Sequence, residues 1–360
     1  MSRLAALHEA AGARWTGEGA GRVPRNYGAP AAEYESARSA VVVAERSDRS
    51  FVRVHGRDPV RMVQGLISND IASGPPDRAV YATVLTAKGK MVADVRVLRH
   101  GADLLLETDR GAADALMAHL RKFVPPLFAR FEDANAAWAE LGVYGPRARA
   151  VLAHVFGSDI GEAAAEDDLY EAALDDTPVM IVATSHFDVP GFDVVLPAGG
   201  LERAWRALTD QGARPIGHAT LDVLRIEAGS PRWGAELTEN TIPLEAGLRE
   251  RAISETKGCY TGQEVIVRVL HRGHVNWILR RVLLGDGAAP AAETALMSAD
   301  TGRKVGRITS AAWSPRFGQT IGLAYVRREV QPDSQVQLES TDGPGVTVAA
   351  IEAGRMRSST

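Results

Sequence analysis

The order of predicted strands and helices constrains the fold more than any other feature of this 360-residue sequence. Apolar and alternating runs predict strands at 51–54, 80–85, 91–98 and 104–108, with helices at 59–67 and 111–123. A similar series follows, with strands at 139–144, 179–183 and 191–196 and helices at 146–156 and 201–211. Apart from the additional strand at 104–108 in the first series, strand–helix–strand–strand–helix therefore occurs twice, which is the order of ferredoxin-like αβ units.

The texture of the sequence changes after residue 281. Short predicted strands at 281–284, 305–310, 321–326, 335–338 and 346–351 are separated by Gly, Pro and Asp, a pattern typical of a small β-barrel or sandwich. We therefore predict an α+β protein with a first region at 1–278 and a C-terminal domain at 279–360. The first region is expected to hold two αβ units, at about 45–135 and about 136–278.

Composition excludes some classes of protein. The chain is 45% hydrophobic and 24% charged, which is ordinary globular composition, and its formal net charge of -4 lacks the basic excess of a general nucleic-acid binder. His8 and Glu9 interrupt the N-terminal apolar residues, so no secretory signal is predicted. No run approaches the roughly 20 apolar residues of a membrane span. We expect a soluble, cytoplasmic protein.

Cys259 is the only cysteine, so neither an intramolecular disulfide nor a Cys-rich metal site can form. Nearby positive charge favours the reactive thiolate form of a cysteine, and Lys257 precedes Cys259 by two residues. Cysteine is also among the most commonly buried residue types. Gly258 and Gly262 indicate a tight backbone path around it. The residues alone leave a functional thiol and an inert core cysteine both open.

A locally basic run, residues 268–274, follows this segment and includes Arg268, His271, Arg272 and His274. It suits an anion such as an RNA phosphate, or it is the solvated, charged end of a strand. His271 and His274 are three residues apart, but no third ligand is in view, and we predict no metal site.

Two acids stand in apolar surroundings. Alternation along residues 91–97 places Ala93 on one face of a strand and Asp94 and Arg96 on the other, and that second face borders either a pocket or solvent. Glu227 lies near the end of a helical pattern that Gly229 terminates. Its carboxylate can bind the amide-like edge of a ring, or it is an ordinary helix-surface residue.

Several motifs together resemble the glycine-cleavage T-protein. They include residues 54–58 (VHGRD), 68–70 (SND), 225–229 (RIEAG), 242–248 (IPLEAGL), 306–310 (GRITS) and 321–326 (IGLAYV). The resemblance covers nearly the whole chain. It implies a three-part ring around a folate-sized central hole, with tetrahydrofolate as cofactor. It also implies that Tyr81, Asp94 and Glu227 line the folate pocket, with Glu227 on the pterin edge.

One segment resembles a narrower group. Lys257-Gly258-Cys259-Tyr260-Thr261-Gly262-Gln263-Glu264 matches the Lys-Gly-Cys-Tyr-x-Gly-Gln-Glu signature of the YgfZ family, which is similar to the T-protein in fold. That resemblance implies a tetrahydrofolate-binding factor for assembly or repair of iron–sulfur enzymes, including tRNA-modifying ones. Cys259 is then the reactive or cluster-facing thiol, Lys257 activates it, and Gln263 and Glu264 orient the loop. Residues 268–274 are expected to hold the folate glutamate tail or to contact RNA weakly.

The sequence departs from T-protein aminomethyltransferases at one step. Those enzymes resemble this chain but carry two adjacent acids where it has Ala93-Asp94, and one Asp of the pair serves the transfer. The leading hypothesis is therefore iron–sulfur support, with a tetrahydrofolate-dependent aminomethyl- or methyltransferase as the alternative. Whether the chain is an enzyme stays open at this point.

Overall fold

A computed structural model of the chain describes residues 2–17, 22–162 and 164–351. Its helices within these residues are α1 (Ala5–Ala10), α2 (Pro30–Ser39), α3 (Pro59–Gln64), α4 (Ala113–Phe123), α5 (Ala148–Phe156), α6 (Leu201–Asp210), α7 (His218–Ala228), α8 (Arg249–Ala252) and α9 (Gln263–Arg272). None of these helices is both long enough and apolar enough to cross a membrane.

The strands of the first three quarters of the chain form one hairpin and two larger sheets. They are β1 (Arg14–Thr16), β2 (Val23–Asn26), β3 (Val42–Glu45), β4 (Arg49–Gly56), β5 (Val80–Leu85), β6 (Met91–His100), β7 (Asp103–Asp109), β8 (Ala129–Asp133), β9 (Trp138–Tyr144), β10 (Leu169–Leu174), β11 (Thr177–Thr184), β12 (Gly191–Pro197) and β13 (Arg214–Pro215). Strands β1 and β2 pair with each other as the hairpin.

The two larger sheets repeat one topology. The first has the order β5-β6-β7-β4-β8, and the second has the order β10-β11-β12-β9-β3-β13. The first follows the path β4-α3-β5-β6-β7-α4-β8 and the second the path β9-α5-β10-β11-β12-α6-β13, with β3 inserted between β9 and β13. This shared order confirms the duplicated αβ unit. Sequence patterning missed β8, which begins three residues after a Pro-Pro pair, and β10, an edge strand in which only Glu171 and Ala173 are exposed.

The two sheets pack face to face, with helices on the outside. One apolar cluster lies between them and includes Phe51, Leu98 and Leu105 of the first sheet and Met180 and Val195 of the second. A second cluster packs the first sheet against α3 and α4, and a third packs the second sheet against α5 and α6. A helix–sheet–sheet–helix sandwich results, and the inner faces not filled by the apolar cluster are left for polar side chains.

The C-terminal part is a closed barrel. Its strands are β14 (Trp277–Gly285), β15 (Ala295–Met297), β16 (Lys304–Ser314), β17 (Gln319–Arg327), β18 (Gln335–Leu338) and β19 (Gly345–Ala349). They close in the order β14-β17-β16-β15-β18-β19, with β19 pairing back to β14. Alternate residues such as Val282, Ile308 and Val348 fill the interior. The predicted α+β class, with ferredoxin-like sheets and a small C-terminal barrel, is confirmed.

Candidate functional site

A cavity of about 910 Å³ lies where the two sheets, α7 and the barrel meet. The polar lining includes Arg46, Asp48, Arg49, Tyr81, Asp94, Arg96, Glu107, His186, Asp193, His218, Asp222, Arg225, Arg232 and Arg251. The apolar lining includes Phe187, Leu221, Val223, Trp233, Leu248, Ala311 and Ala312. Because both sheets, α7 and the barrel supply lining residues, the cavity lies where the resemblance to the T-protein implied a central hole.

Strand β6 delivers Asp94 to this cavity by alternation. Ala93, Val95 and Val97 point into the apolar cluster between the first sheet and its helices. Asp94 and Arg96 point to the opposite face, toward the second sheet, and both line the cavity. The sequence left this face open between pocket and solvent, and the packing of the second sheet makes it the wall of a cavity.

Asp94 is held on one side only. The Tyr81 hydroxyl donates a hydrogen bond to Asp94 Oδ2 at 3.1 Å. Asp94 is 7% exposed, and within the described part of the chain its Oδ1 has no hydrogen-bond partner. A buried carboxylate oxygen without a partner costs free energy unless a ligand or water satisfies it. This oxygen is therefore free to accept a hydrogen bond from a group in the cavity.

Arg251 fixes Tyr81 from the other side. Its guanidinium carbon lies 4.3 Å from the centre of the Tyr81 ring, and its Nη2 makes a 2.6 Å ion pair with Glu166 Oε1. Glu166 also accepts a hydrogen bond from the backbone N–H of Ser185, in the second αβ unit. The second unit thus positions, through Arg251, a tyrosine of the first.

A network of buried charges adjoins Asp94. Arg49 Nε donates to Glu107 Oε1 at 2.6 Å, and Arg96 Nε donates to Glu107 Oε2 at 2.5 Å. Arg96 Nη1 also donates to Asp193 Oδ2 at 2.8 Å, which joins the two sheets. Burial raises the pKa of Glu107, but Arg96 and Arg49 outweigh burial and hold this pKa at about 2. Glu107 is therefore an ionised partner for arginines and not a proton donor at neutral pH.

The cavity favours anionic ligand groups. Eight arginines and six Asp or Glu residues line it, and Arg25 has no ion-pair partner among the described residues. Burial, followed by the charges of Arg251 and Arg46, lowers the pKa of His186 well below its ordinary value, so this histidine is neutral. A neutral imidazole and an unpaired guanidinium group in one cavity suit a ligand that has both a polar ring and a carboxylate.

Glu227 lies outside the cavity lining, unlike its neighbour Arg225. It is 1% exposed and accepts hydrogen bonds from the Tyr34 hydroxyl at 2.9 and 3.0 Å and from Ser314 Oγ at 2.5 Å. Arg38 completes the set with an ion pair to Oε2. In this arrangement Glu227 ties α7 to α2 and to the barrel. Contact between Glu227 and a ligand stays a prediction, and it requires this ion pair to open.

Lys257 is directed at backbone oxygens. Its Nζ donates to the carbonyls of Gln64 at 2.6 Å, Ile67 at 2.8 Å and Asn69 at 2.9 Å. Burial lowers the pKa of Lys257 to about 8. The three hydrogen bonds pin the loop that carries Cys259 to the C-terminal end of α3. The geometry therefore makes Lys257 a structural anchor, and activation of a thiol by this residue stays a prediction.

Cys259 is exposed and does not line the cavity. Gly262 follows with a φ of 84° and begins α9, and Gln263 and Glu264 form the first turn of that helix. Glu264 pairs on the surface with Arg268 at 2.9 Å. Residues 268–272 are thus the end of a helix, and their interpretation as a strand end is wrong. Cys259 thus lies outside the cavity that Tyr81 and Asp94 line together.

Sequence reasoning missed most of the charged residues that surround Asp94. Arg49, Glu107 and Asp193 each lie in an alternating strand, and a charged residue on the apolar face of such a strand is the signal that was available. Arg251 gave no such signal, because it lies in a one-turn helix. In the described part of the chain, no group of three His, Cys, Asp or Glu residues is arranged to hold a metal ion.

Comparison with known proteins agrees with this architecture. Residues 4–257 match the family model described as the GCVT N-terminal domain, and residues 280–352 match the glycine cleavage T-protein C-terminal barrel domain. An aminomethyltransferase of Rubrobacter xylanophilus is 29% identical over 337 residues, covering 94% of this chain and 90% of the relative. An aminomethyltransferase of Thermus thermophilus is 28% identical over 323 residues, covering 89% of this chain and 90% of the relative.

A solved structure has the same fold. The glycine cleavage system aminomethyltransferase T of Bartonella henselae superposes with a TM-score of 0.87 at 23% identity, covering 98% of both chains. The two family models together cover most of the sequence, and the second match begins within the first barrel strand, β14. With its paired αβ units, its barrel and its central cavity, the chain belongs to the glycine cleavage T-protein family.

Proposed function

We propose that this chain binds tetrahydrofolate in the central cavity and transfers a one-carbon unit to or from it, as an aminomethyltransferase of the T-protein type. The observation that carries the proposal is Asp94, a buried carboxylate whose Oδ1 has no partner among the described residues and which faces the cavity. The relatives named aminomethyltransferase match this chain over most of its length and support the same reaction class.

The residues present fit a folate. The cavity volume of about 910 Å³ is within the range of sites for ligands of this size. Asp94 Oδ1 can accept a hydrogen bond from a ring N–H, and Trp233 and Phe187 provide apolar surface. Arg25 and Arg232 can pair with the carboxylates of the glutamate tail.

Asp94 is the group best placed to move a proton. Bound tetrahydrofolate supplies the N5 and N10 amines on which a one-carbon unit is carried. A carboxylate within hydrogen-bond reach of such an amine accepts or returns a proton as the amine changes its bonding. Tyr81 orients the carboxylate through Oδ2, so that Oδ1 stays free for this exchange. The first sheet and the second sheet close around both residues and limit the access of water.

Ala93 stands where T-protein aminomethyltransferases carry a second acid, and this difference does not change the cavity lining. Position 93 lies on the core side of β6, where the Ala93 side chain is fully buried among apolar residues. On this backbone a carboxylate at position 93 would face the helices and not the ligand. In the sequence, alanine at position 93 is an argument against transferase activity. Asp94, the acid that faces the cavity, is nevertheless present.

Two measurements test the transferase proposal. Isothermal titration of the purified chain with tetrahydrofolate is expected to give one site. Incubation with tetrahydrofolate and an aminomethyl donor is expected to form methylenetetrahydrofolate, with turnover lost in Asp94→Asn. If tetrahydrofolate binds but no donor gives turnover above the Asp94→Asn background, the chain binds folate without being a transferase.

Assembly or repair of iron–sulfur enzymes is the second candidate function. The specific observation in its favour is the exposed Cys259, which lies outside the folate-sized cavity on a loop anchored by Lys257. An accessible thiol at a fixed position can meet a partner protein without competing with a bound folate. The octapeptide around Cys259, with its resemblance to the YgfZ family, supports the same candidate.

The two functions separate by mutation. In a strain that lacks this protein, Cys259→Ala should abolish rescue of iron–sulfur enzyme activity if the second candidate holds, and Asp94→Asn should abolish one-carbon transfer if the first holds. Full rescue by Cys259→Ala would remove the iron–sulfur role. An RNA contact through Arg268 and Arg272 is tested by salt-sensitive RNA binding, and its absence would remove that partner.

A further inference from the structure

Strand β8 is an edge of the first sheet. It pairs on one side only, with β4, in the register Val54 to Phe131. Ala129 and Phe131 point into the core, whereas Arg130, Glu132 and Asp133 are exposed. An edge strand presents a row of unpaired main-chain N–H and C=O groups, which another strand can complete.

The direction of these main-chain groups follows from the bonds that flank the strand. Arg57 N–H donates to Phe128 C=O at 3.0 Å, and Ala134 N–H donates to Phe51 C=O at 2.9 Å. In an antiparallel pair, alternate residues face the neighbouring strand. Arg130 and Glu132 therefore direct their main-chain groups toward β4. Ala129, Phe131 and Asp133 direct theirs outward, toward the open edge.

We propose that β8 is a self-association surface on which a second copy of this chain pairs antiparallel, about a two-fold axis at Phe131. Phe131 then faces Phe131 of the partner subunit, and Ala129 faces Asp133 of the partner subunit. These are the positions whose main-chain groups point outward. Each facing pair exchanges two N–H···O=C bonds, which gives about six across the interface. The two sheets become one continuous ten-stranded sheet of roughly twice the width.

The same register pairs opposite charges. Arg130 faces Glu132 of the partner subunit, and the two-fold axis repeats the pair. Both residues occupy the non-hydrogen-bonded position, where facing Cα atoms are only about 4.5 Å apart and side chains are closest. Opposite charges at such positions stabilise a sheet and like charges destabilise it. Within the described residues, Arg130 has no ion-pair partner, whereas Glu132 contacts His55 Nε2 at 2.9 Å and Arg53 Nη1 at 3.7 Å.

Charged residues usually protect a sheet edge against association. Charges of one sign at positions 130 and 132 would protect this edge, because like charges would then face each other across the two-fold axis. The arrangement Arg130-Phe131-Glu132 does the opposite, since a basic and an acidic residue flank the central residue at equal distance. The edge is therefore complementary to itself, and this carries the choice of a second copy over another partner.

An exposed apolar turn adjoins the strand. Three of the exposed large apolar side chains lie within six residues: Phe123 at 47%, Leu127 at 78% and Phe128 at 37%. The turn leads directly into β8. When two copies of β8 pair, the end of the partner's strand therefore covers part of this turn. A single pair of five-residue strands buries less area than a standard interface, and the expected dissociation constant is about 1 µM to 1 mM.

Sedimentation velocity over a concentration series tests the proposal. The wild type should shift from monomer to dimer with rising concentration. Arg130→Glu and Glu132→Arg should each weaken the dimer at least about tenfold, because each places like charges opposite one another. A mixture of the two variants should dimerise again, since every facing pair is then opposite in charge, and so should the double variant R130E/E132R.

The outcomes are decisive in both directions. No β8 residue lines the central cavity, so unchanged thermal unfolding and unchanged ligand binding serve as folding controls for every variant. A wild type that stays monomeric at all concentrations would overturn the proposal. So would a dimer that survives both single charge reversals but is lost in Leu127→Ser, because the apolar turn alone would then be the contact.

Discussion

Tyr81 and Asp94 lie diagonally across two antiparallel strands, and the Tyr81 hydroxyl donates a hydrogen bond to Asp94 Oδ2 at 3.1 Å. Direct neighbours in the register are Tyr81 with Arg96 and Thr83 with Asp94. The hydroxyl reaches Asp94 because a diagonal neighbour lies within range of a long side chain. The bond occupies Asp94 Oδ2 and leaves Oδ1 of this buried carboxylate free in the cavity. This contact locates the candidate site more closely than any sequence motif does.

Asp94→Asn should lower kcat for one-carbon transfer by about 10²- to 10⁴-fold, the range for loss of a general acid or base. The amide keeps the shape of the side chain, so the Kd for tetrahydrofolate should change much less than kcat. Tyr81→Phe is the matched control, since it removes one hydrogen bond worth about 1 kcal/mol and leaves the carboxylate in place. Steady-state kinetics and titration with tetrahydrofolate measure both effects. Equal losses of kcat in the two variants would contradict a direct role for Asp94.

Ala93→Asp should destabilise the protein without increasing transfer activity. Its side chain would enter the apolar cluster between the first sheet and α3 and α4, whose buried side chains offer a carboxylate no hydrogen bond or ion pair. Burial of an unpaired acid costs several kcal/mol, and we expect a loss of about 3 kcal/mol in the free energy of unfolding. Urea unfolding measures the loss, and Ala93→Ser controls for size. A gain in turnover would show that position 93 reaches the cavity.

Gly262→Ala and Gly258→Ala should differ strongly although both lie in the Cys259 segment. Gly262 has a φ of 84°, and an added Cβ would lie 2.6 Å from the Thr86 carbonyl oxygen. We expect Gly262→Ala to cost roughly 2–4 kcal/mol from backbone strain and this contact. Gly258 has no atom within 4 Å of an added Cβ, and Gly258→Ala should be tolerated. Thermal unfolding of both variants measures the difference, and similar losses would mean that the loop has another conformation.

Asp167→Asn should stabilise the protein at pH 8 but not at pH 4. Burial, together with the charge of Glu166, raises the pKa of Asp167 from 3.8 to about 6. A folded-state pKa above the unfolded one means that stability is lost as pH rises through about 6, because the buried group must ionise. Asparagine avoids this loss and tolerates the φ of 68° at this position. The expected gain is about 1–3 kcal/mol at pH 8, measured by urea unfolding at both pH values. A gain that is the same at pH 4 would exclude ionisation as its cause.

Much of the fold was predictable because local patterns decide it. Alternation identified the strand that carries Asp94, and helical spacing predicted a helix at 59–67, where α3 (Pro59–Gln64) begins after Asp58, which accepts a hydrogen bond from the Arg61 N–H. The repeat of one strand and helix order gave the two sheets. Helix α9 was not predicted, because Ile266 is its one buried residue and charged residues interrupt its short apolar runs.

The roles of individual site residues depended on distant contacts. Glu227 joins α7 to the barrel and to α2, because Ser314 donates a hydrogen bond to it and Arg38 forms an ion pair with it. Both partners are far from Glu227 in sequence. Lys257 became an anchor because the end of α3 presents its carbonyls there. No pattern within a short window contains these partners, so the same residues supported other interpretations in the sequence.

The sequence by itself determined that β6 has one apolar face and one charged face, since alternation is a property of the strand alone. Only the tertiary structure decided what the charged face meets. The second sheet packs opposite β6 and supplies Asp193, which pairs with Arg96. Ser185 of the same sheet region donates a hydrogen bond to Glu166, and Glu166 pairs with Arg251. Burial between two sheets is what turns Asp94 from a surface carboxylate into a group whose free oxygen needs a ligand or a water molecule, because the cost of an unsatisfied polar atom arises only where bulk water is excluded.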